Sequence, residues 1–137
     1  MTCFVMGDSI AVGVSQALPA CHARAKSGIT SSRYVAAMAT NVTADLVVIS
    51  LGANDWHLPT YDNLSALRRS VSAARVLWLL PNIHRPGVRD SILRVAAAHG
   101  DRVIDTAPYA GADHIHPTGS GYRAIAARVR DNGLVSQ

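Results

Sequence analysis

The sequence predicts an α/β protein: a three-layer α/β/α sandwich around a central, mostly five-stranded parallel sheet. Three observations carry this. Short apolar runs alternate with amphipathic segments in the order βαβαβαβαβα, the pattern of a parallel sheet with crossover helices. The run Leu46 to Leu51 is apolar at nearly every position and rich in β-branched residues, as suits a central strand covered on both faces. No repeat, low-complexity tract or Pro/Gly-rich linker divides the 137 residues, so a single domain over 1–137 is expected.

The elements follow in order. Cys3 to Met6 is the first strand candidate. Ile10 to Ala17 forms a helix with Gly13 as a weak point and Pro19 beyond its end. Arg24 to Ser27 reads as a second short strand. Ser31 to Ala39 is Ala-rich and helix-compatible, with Ser31 or Ser32 able to cap it. The central strand at Leu46 to Leu51 precedes a helix over Tyr61 to Ala74, where Leu64, Leu67, Val71 and Ala74 share one face. Val76 to Leu80 is a buried strand stopped by Pro81. Val88 to His99 is a helix closed by Gly100, and Arg102 to Asp105 is the last strand. The last helix spans Gly121 to Arg130 and closes near Gly133. Thr118 caps it, with Pro117 setting its angle.

Composition narrows the function classes. The chain is 49% apolar and 16% charged, which excludes a disordered segment. Its apolar runs are too short for a membrane-spanning helix. The net charge of +4 comes from scattered arginines rather than a basic stripe interleaved with aromatics, so no nucleic-acid partner is expected. The two cysteines, Cys3 and Cys21, read as small core residues rather than a disulfide framework. No secretory signal is seen, which makes a cytoplasmic location the default expectation.

In a parallel sheet, ligands sit at the carboxyl ends of the strands. The loops expected there hold Gly7-Asp8-Ser9, Ser27-Gly28, Gly52-Ala53-Asn54-Asp55 and Asp113-His114-Ile115-His116. A Ser hydroxyl is a poor nucleophile until a base takes its proton, and a His serves best when a carboxylate orients it. Asp113 and His116 are three residues apart, a spacing at which one turn brings the carboxylate to one imidazole nitrogen and leaves the other for Ser9. An oxyanion formed by attack needs donors. The Ser9 N–H at a helix start, the Gly28 N–H and the Asn54 side-chain amide are the candidates.

These four blocks, in this order and each after an expected strand, resemble the SGNH hydrolase superfamily, also called the GDSL esterase/lipase family. The resemblance frames residues 7 to 116. It implies a flavodoxin-like α/β/α fold, no metal or other cofactor, and hydrolysis of carboxylic esters or thioesters through an acyl-enzyme. By the same resemblance Ser9 is the nucleophile, His116 the base and then the acid, and Asp113 the residue orienting His116. The resemblance likewise implies that Ser9 N–H, Gly28 N–H and the Asn54 side chain form the oxyanion hole. Ile10 stands where the family name has Leu, a conservative departure.

Trp56, His57 and His114 are candidates to line the substrate pocket. Asp8 is expected to have a structural hydrogen-bonding role and Asp55 to hold its loop, rather than either to react. Asp113, His114 and His116 make too small a ligand set for a structural metal. A chain this short has little sequence for lids or an acyl tunnel, so the expected substrate is a small-molecule or carbohydrate ester of a short acyl group such as acetyl. The alternatives are a thioesterase or lysophospholipase of the same fold, or a non-catalytic sugar-binding or structural module.

Overall fold

The computed structural model describes residues 2–38 and 41–134. Its sheet has five strands, all parallel: β1 (Cys3–Gly7), β2 (His22–Ala25), β3 (Val42–Ser50), β4 (Val71–Leu80) and β5 (Arg102–Asp105). Their spatial order is β2-β1-β3-β4-β5. Among the described residues five α-helices connect or follow them: α1 (Ser9–Gln16), α2 (Ser31–Ala37), α3 (Thr60–Arg69), α4 (Val88–His99) and α5 (Gly119–Val129). Every connection between neighbouring strands is therefore a crossover, as parallel pairing demands.

Strand alternation divides the core into two layers. Val5, Leu46, Val48, Leu77, Leu79 and Ile104 pack with α1 and α5. Met6, Val47, Ile49, Trp78 and Leu80 face the other way and pack with α2, α3 and α4. Both faces of β3 are thus buried, which explains its continuous apolar run. Gly13, the weak point of α1, lies under the Tyr122 ring; a Cβ there would sit 2.3 Å from it. A glycine lets α5 pack tightly on α1, at a helix-propensity cost of about 1 kcal/mol. Fully buried Trp78 donates its indole N–H to Asp101 at 2.9 Å, and Asp101 also takes a two-pronged contact from Arg68. That network satisfies the one polar atom of the largest core side chain.

Several element bounds differ from the sequence expectation. The helix expected to run to Ala74 ends at Arg69, and β4 begins at Val71. Val71 and Ala74 happen to extend the helical spacing of Leu64 and Leu67, but Val71 pairs with Val42 across the sheet. β3 likewise starts four residues early, at Val42, because its first half is partly solvent-facing and lacks the apolar signature. Thr30, not Ser31 or Ser32, caps α2, accepting from the Arg33 N–H. Ala39, expected as the end of that helix, lies outside the described residues. α5 starts at Gly119 behind its Thr118 cap and passes into a π turn over Arg130–Leu134 instead of closing near Gly133. Among the described residues no helix is long and apolar enough to cross a membrane.

The cysteines require a larger correction. Cys3 and Cys21 form a disulfide, with Cα atoms 4.6 Å apart. The sheet register explains it: Phe4 pairs with His22, so the preceding residues of β1 and β2 stand side by side. Cross-linking positions 18 apart removes loop entropy from the unfolded chain worth about 3 kcal/mol. Replacing both cysteines by serine should lower the unfolding free energy in urea by about that amount. Alkylation of the unreduced, denatured protein should label neither thiol.

Candidate active site

The site begins where β1 stops. Gly7 has φ +139°, and a Cβ on it would lie 1.8 Å from the Ser50 carbonyl oxygen of β3. Only glycine fits there. The Asp8 N–H donates to that same carbonyl at 2.9 Å, and the Lys26 N–H after β2 donates to the Gly7 carbonyl at 2.9 Å. The ends of β1, β2 and β3 are thereby laced together, and the loops that follow them open on one edge.

Asp8 is fully buried and caps α1 by accepting from the Ile10 N–H at 3.0 Å. The same oxygen, Oδ1, takes a bond from Ser50 Oγ at 3.1 Å, while Oδ2 has no hydrogen-bond partner among the described residues. Ser9 follows as the first residue of α1, so its N–H belongs to the first turn, where no carbonyl of the helix accepts it. Asp8 therefore serves placement, as the sequence reading expected.

Ser9 Oγ lies 2.8 Å from His116 Nε2. On the other side of the ring, His116 Nδ1 lies 2.6 Å from Asp113 Oδ2. A carboxylate there accepts, so Nδ1 carries the proton and Nε2 is left to accept from the Ser9 hydroxyl. Residues 107 positions apart in sequence are thus joined through one imidazole. Asp113 Oδ1 accepts from the N–H groups of Ile115 and His116, both at 2.8 Å. The bond from the Ile115 N–H, then the His116 side chain and the His116 N–H, hold the Asp113 carboxyl down at about 2, so it is ionised across the ordinary pH range. The loop is closed at its base by an antiparallel bridge between Ala110 and Pro117.

The remaining sequence candidates divide into those tied together and those left open. Asn54 donates through Nδ2 to the Ile29 carbonyl at 3.1 Å, which links the loop after β3 to the turn holding Gly28. Gly28 is exposed with φ +79° and no atom within 4 Å of where a Cβ would be. Asp55 is buried and accepts from the Ser31 N–H, Ser31 Oγ and Thr60 Oγ1, which makes it a loop anchor. Trp56, His57 and His114 are exposed on the adjoining loops. Among the described residues His57 and His114 are the only non-glycines with positive φ, at 53° and 63°. Backbone outliers of this kind concentrate at functional sites.

The loop after β4 supplies residues that sequence reading passed over. Asn82 donates to the His114 carbonyl at 2.6 Å. Arg85 donates through Nε to the Asp55 carbonyl at 2.8 Å and through Nη2 to the Ala53 carbonyl. One segment therefore braces both the Asn54 loop and the Asp113–His116 loop. Its signal was weak, since Pro81-Asn82 reads as an ordinary strand stop.

Burial raises the Asp8 pKa from 3.8 to about 6 against the opposing hydrogen bonds of Ile10 and Ser50. The unfolded chain loses this proton first, so Asp8 contributes stability that is complete below about pH 4 and lost as pH rises through 6. The span corresponds to roughly 3 kcal/mol. Asp8→Asn keeps the cap acceptor and should flatten that decline, read as the difference between variant and parent urea-unfolding free energies at acid and neutral pH.

No family model matches the chain, and neither does any curated protein. Solved structures do. The C-terminal catalytic domain of peptidoglycan O-acetyltransferase A from Streptococcus pneumoniae, determined with a methylsulfonyl adduct, aligns with a TM-score of 0.66 at 17% identity, covering 98% of this chain and 93% of that one. A carbohydrate acetylesterase from Sinorhizobium meliloti aligns at 0.62 and 16% identity, over 96% and 99% of the two chains. An aryl esterase from M. smegmatis aligns at 0.60 and 18% identity, over 95% and 98%. The strand order, the helix layers and these likenesses agree: the chain has the α/β/α fold of the SGNH hydrolases.

Proposed function

We propose that the protein is a serine esterase acting on esters of small acyl groups, with O-acetylated carbohydrate as its substrate class. The observation that carries this reading is the unbroken hydrogen-bond line from Ser9 Oγ through His116 to Asp113. It is the arrangement that a weak hydroxyl nucleophile needs. The esterases and the O-acetyltransferase of the same fold support the acyl chemistry, and the carbohydrate acetylesterase supports the choice of substrate.

In this reading Ser9 Oγ attacks the ester carbonyl while His116 Nε2 takes its proton. The resulting imidazolium is stabilised by ionised Asp113. The carbonyl oxygen becomes an oxyanion that accepts from the Ser9 N–H, the Gly28 N–H and the second proton of Asn54 Nδ2, the first being spent on Ile29. Collapse breaks the ester C–O bond, and His116 returns its proton to the departing alcohol. Water then attacks the acyl-Ser9 carbonyl, giving its proton to His116. The second collapse releases the acid and restores the Ser9 hydroxyl. No metal or cofactor enters any step.

The Cys3–Cys21 disulfide bears on where this happens. Such bonds persist in oxidising surroundings, so it favours an exported or periplasmic setting over the cytoplasmic default.

Ser9→Ala should reduce hydrolysis of p-nitrophenyl acetate to background and abolish labelling by a fluorophosphonate probe. A variant that keeps its rate removes Ser9 from the mechanism. Asn54→Ala should lower kcat on the order of 100- to 1000-fold. Because Asn54 also holds the Ile29 carbonyl, its far-UV circular dichroism and urea midpoint are to be compared with the parent; a loss within a factor of a few would exclude Asn54 from the oxyanion site.

A further inference from the structure

Beyond the reacting atoms, the loop that carries Asn54 ends in an exposed indole whose setting is unusual. Trp56 is 63% exposed, the most exposed large apolar side chain among the described residues. A single exposed apolar residue needs no explanation by itself. What calls for one is that this ring is held. The Arg85 guanidinium carbon lies 4.1 Å from its ring centroid, and the guanidinium is itself fixed by the carbonyls of Asp55 and Ala53. One face of the indole is thus braced from behind. His57 follows in a positive-φ conformation, with its ring centroid 6.5 Å from that of Trp56 and the planes at 47°. Trp56, His57 and Arg85 share a cavity of about 160 Å³ with Thr60.

We propose that the open face of Trp56 is a stacking subsite for a sugar ring in the alcohol part of the substrate, with His57 and Arg85 supplying hydrogen-bonding edges; this rests on the esterase reading above and specifies its substrate. A pyranose presents an apolar C–H face and a rim of hydroxyls. An indole face bordered by an imidazole and a guanidinium matches both at once. A purely aliphatic acyl chain would cover the indole but make no hydrogen bond with the polar edges, which would stay in water, so it gains less. The brace also lowers the entropy lost on binding, because the ring is already positioned. Its place, two residues past Asn54, puts it on the loop proposed to hold the oxyanion.

The test compares an O-acetylated disaccharide with ethyl acetate, which has no ring to stack. The parent protein should prefer the disaccharide in kcat/KM. In Trp56→Ala that preference should fall by about tenfold or more, carried by KM, and Trp56→Tyr should restore much of it. Equal preference in parent and Trp56→Ala, or a parent that acts on ethyl acetate without favouring the disaccharide, overturns the subsite. Should the parent hydrolyse neither ester, the esterase reading fails separately, and the subsite is then judged by titrating the deacetylated disaccharide against tryptophan fluorescence. Trp78 is buried, so a saturable change lost in Trp56→Phe supports the platform, and no change rejects it.

Discussion

A missing methyl group sets the geometry of this protein. Gly7 runs so close to β3 that any side chain would collide with the Ser50 carbonyl, and that contact fixes the level at which β1 stops. Because β1, β2 and β3 are parallel and in register, the level at which one ends sets where the loops of all three begin. Asp8 then turns inward to cap α1 and Ser9 is delivered at the first turn of the helix. Asp8 is an expensive solution. Its buried carboxyl has one oxygen without a partner among the described residues, and burying a charge there is resisted strongly enough to raise its pKa to about 6. The cost is borne at the one position where the direction of α1 decides where the Ser9 hydroxyl points.

The other half of the site is held differently. Asp113 and His116 come from an exposed loop, and a hydrogen-bonded pair of side chains facing water contributes little to folding. Their geometry rests on backbone bonds: two N–H groups onto Asp113 Oδ1, the bridge from Ala110 to Pro117, and the Asn82 amide on the His114 carbonyl. Arg85 does the same for the Asn54 loop through two carbonyls. The loop after β4 is therefore the strut between two halves that share no strand. Rigid supports of this kind are what keep reacting groups within tenths of an ångström of useful positions.

The parts of this design visible in the sequence are those with local signatures. α4 and β5 match their expected bounds because Gly100 closes one and a short apolar run marks the other. Ser9, Asp113 and His116 could be named because each lies in a compact motif. The exposed first halves of β3 and β4 were not legible, since partly solvent-facing strands lose the continuous apolar run. The Cys3–Cys21 bond was missed because it depends on the lateral pairing of β1 with β2, which no local pattern announces. Asn82 and Arg85 were missed for a related reason. They act on backbone carbonyls far along the chain, and a carbonyl has no residue type to recognise.

The site is open to solvent: the side chains of His116 and Asp113 are 46% and 52% exposed. Water at that distance weakens the interactions on which transition-state stabilisation depends. On the proposed reading the substrate must therefore supply its own cover. An acetyl group is too small for that, whereas a sugar ring seated on the indole of Trp56 would lie over the loop carrying Asn54 and exclude solvent from its edge. Binding of the alcohol part and desolvation of the reacting part would then be one event. On that reading, the rate would be gained from substrates that bring bulk on the leaving-group side.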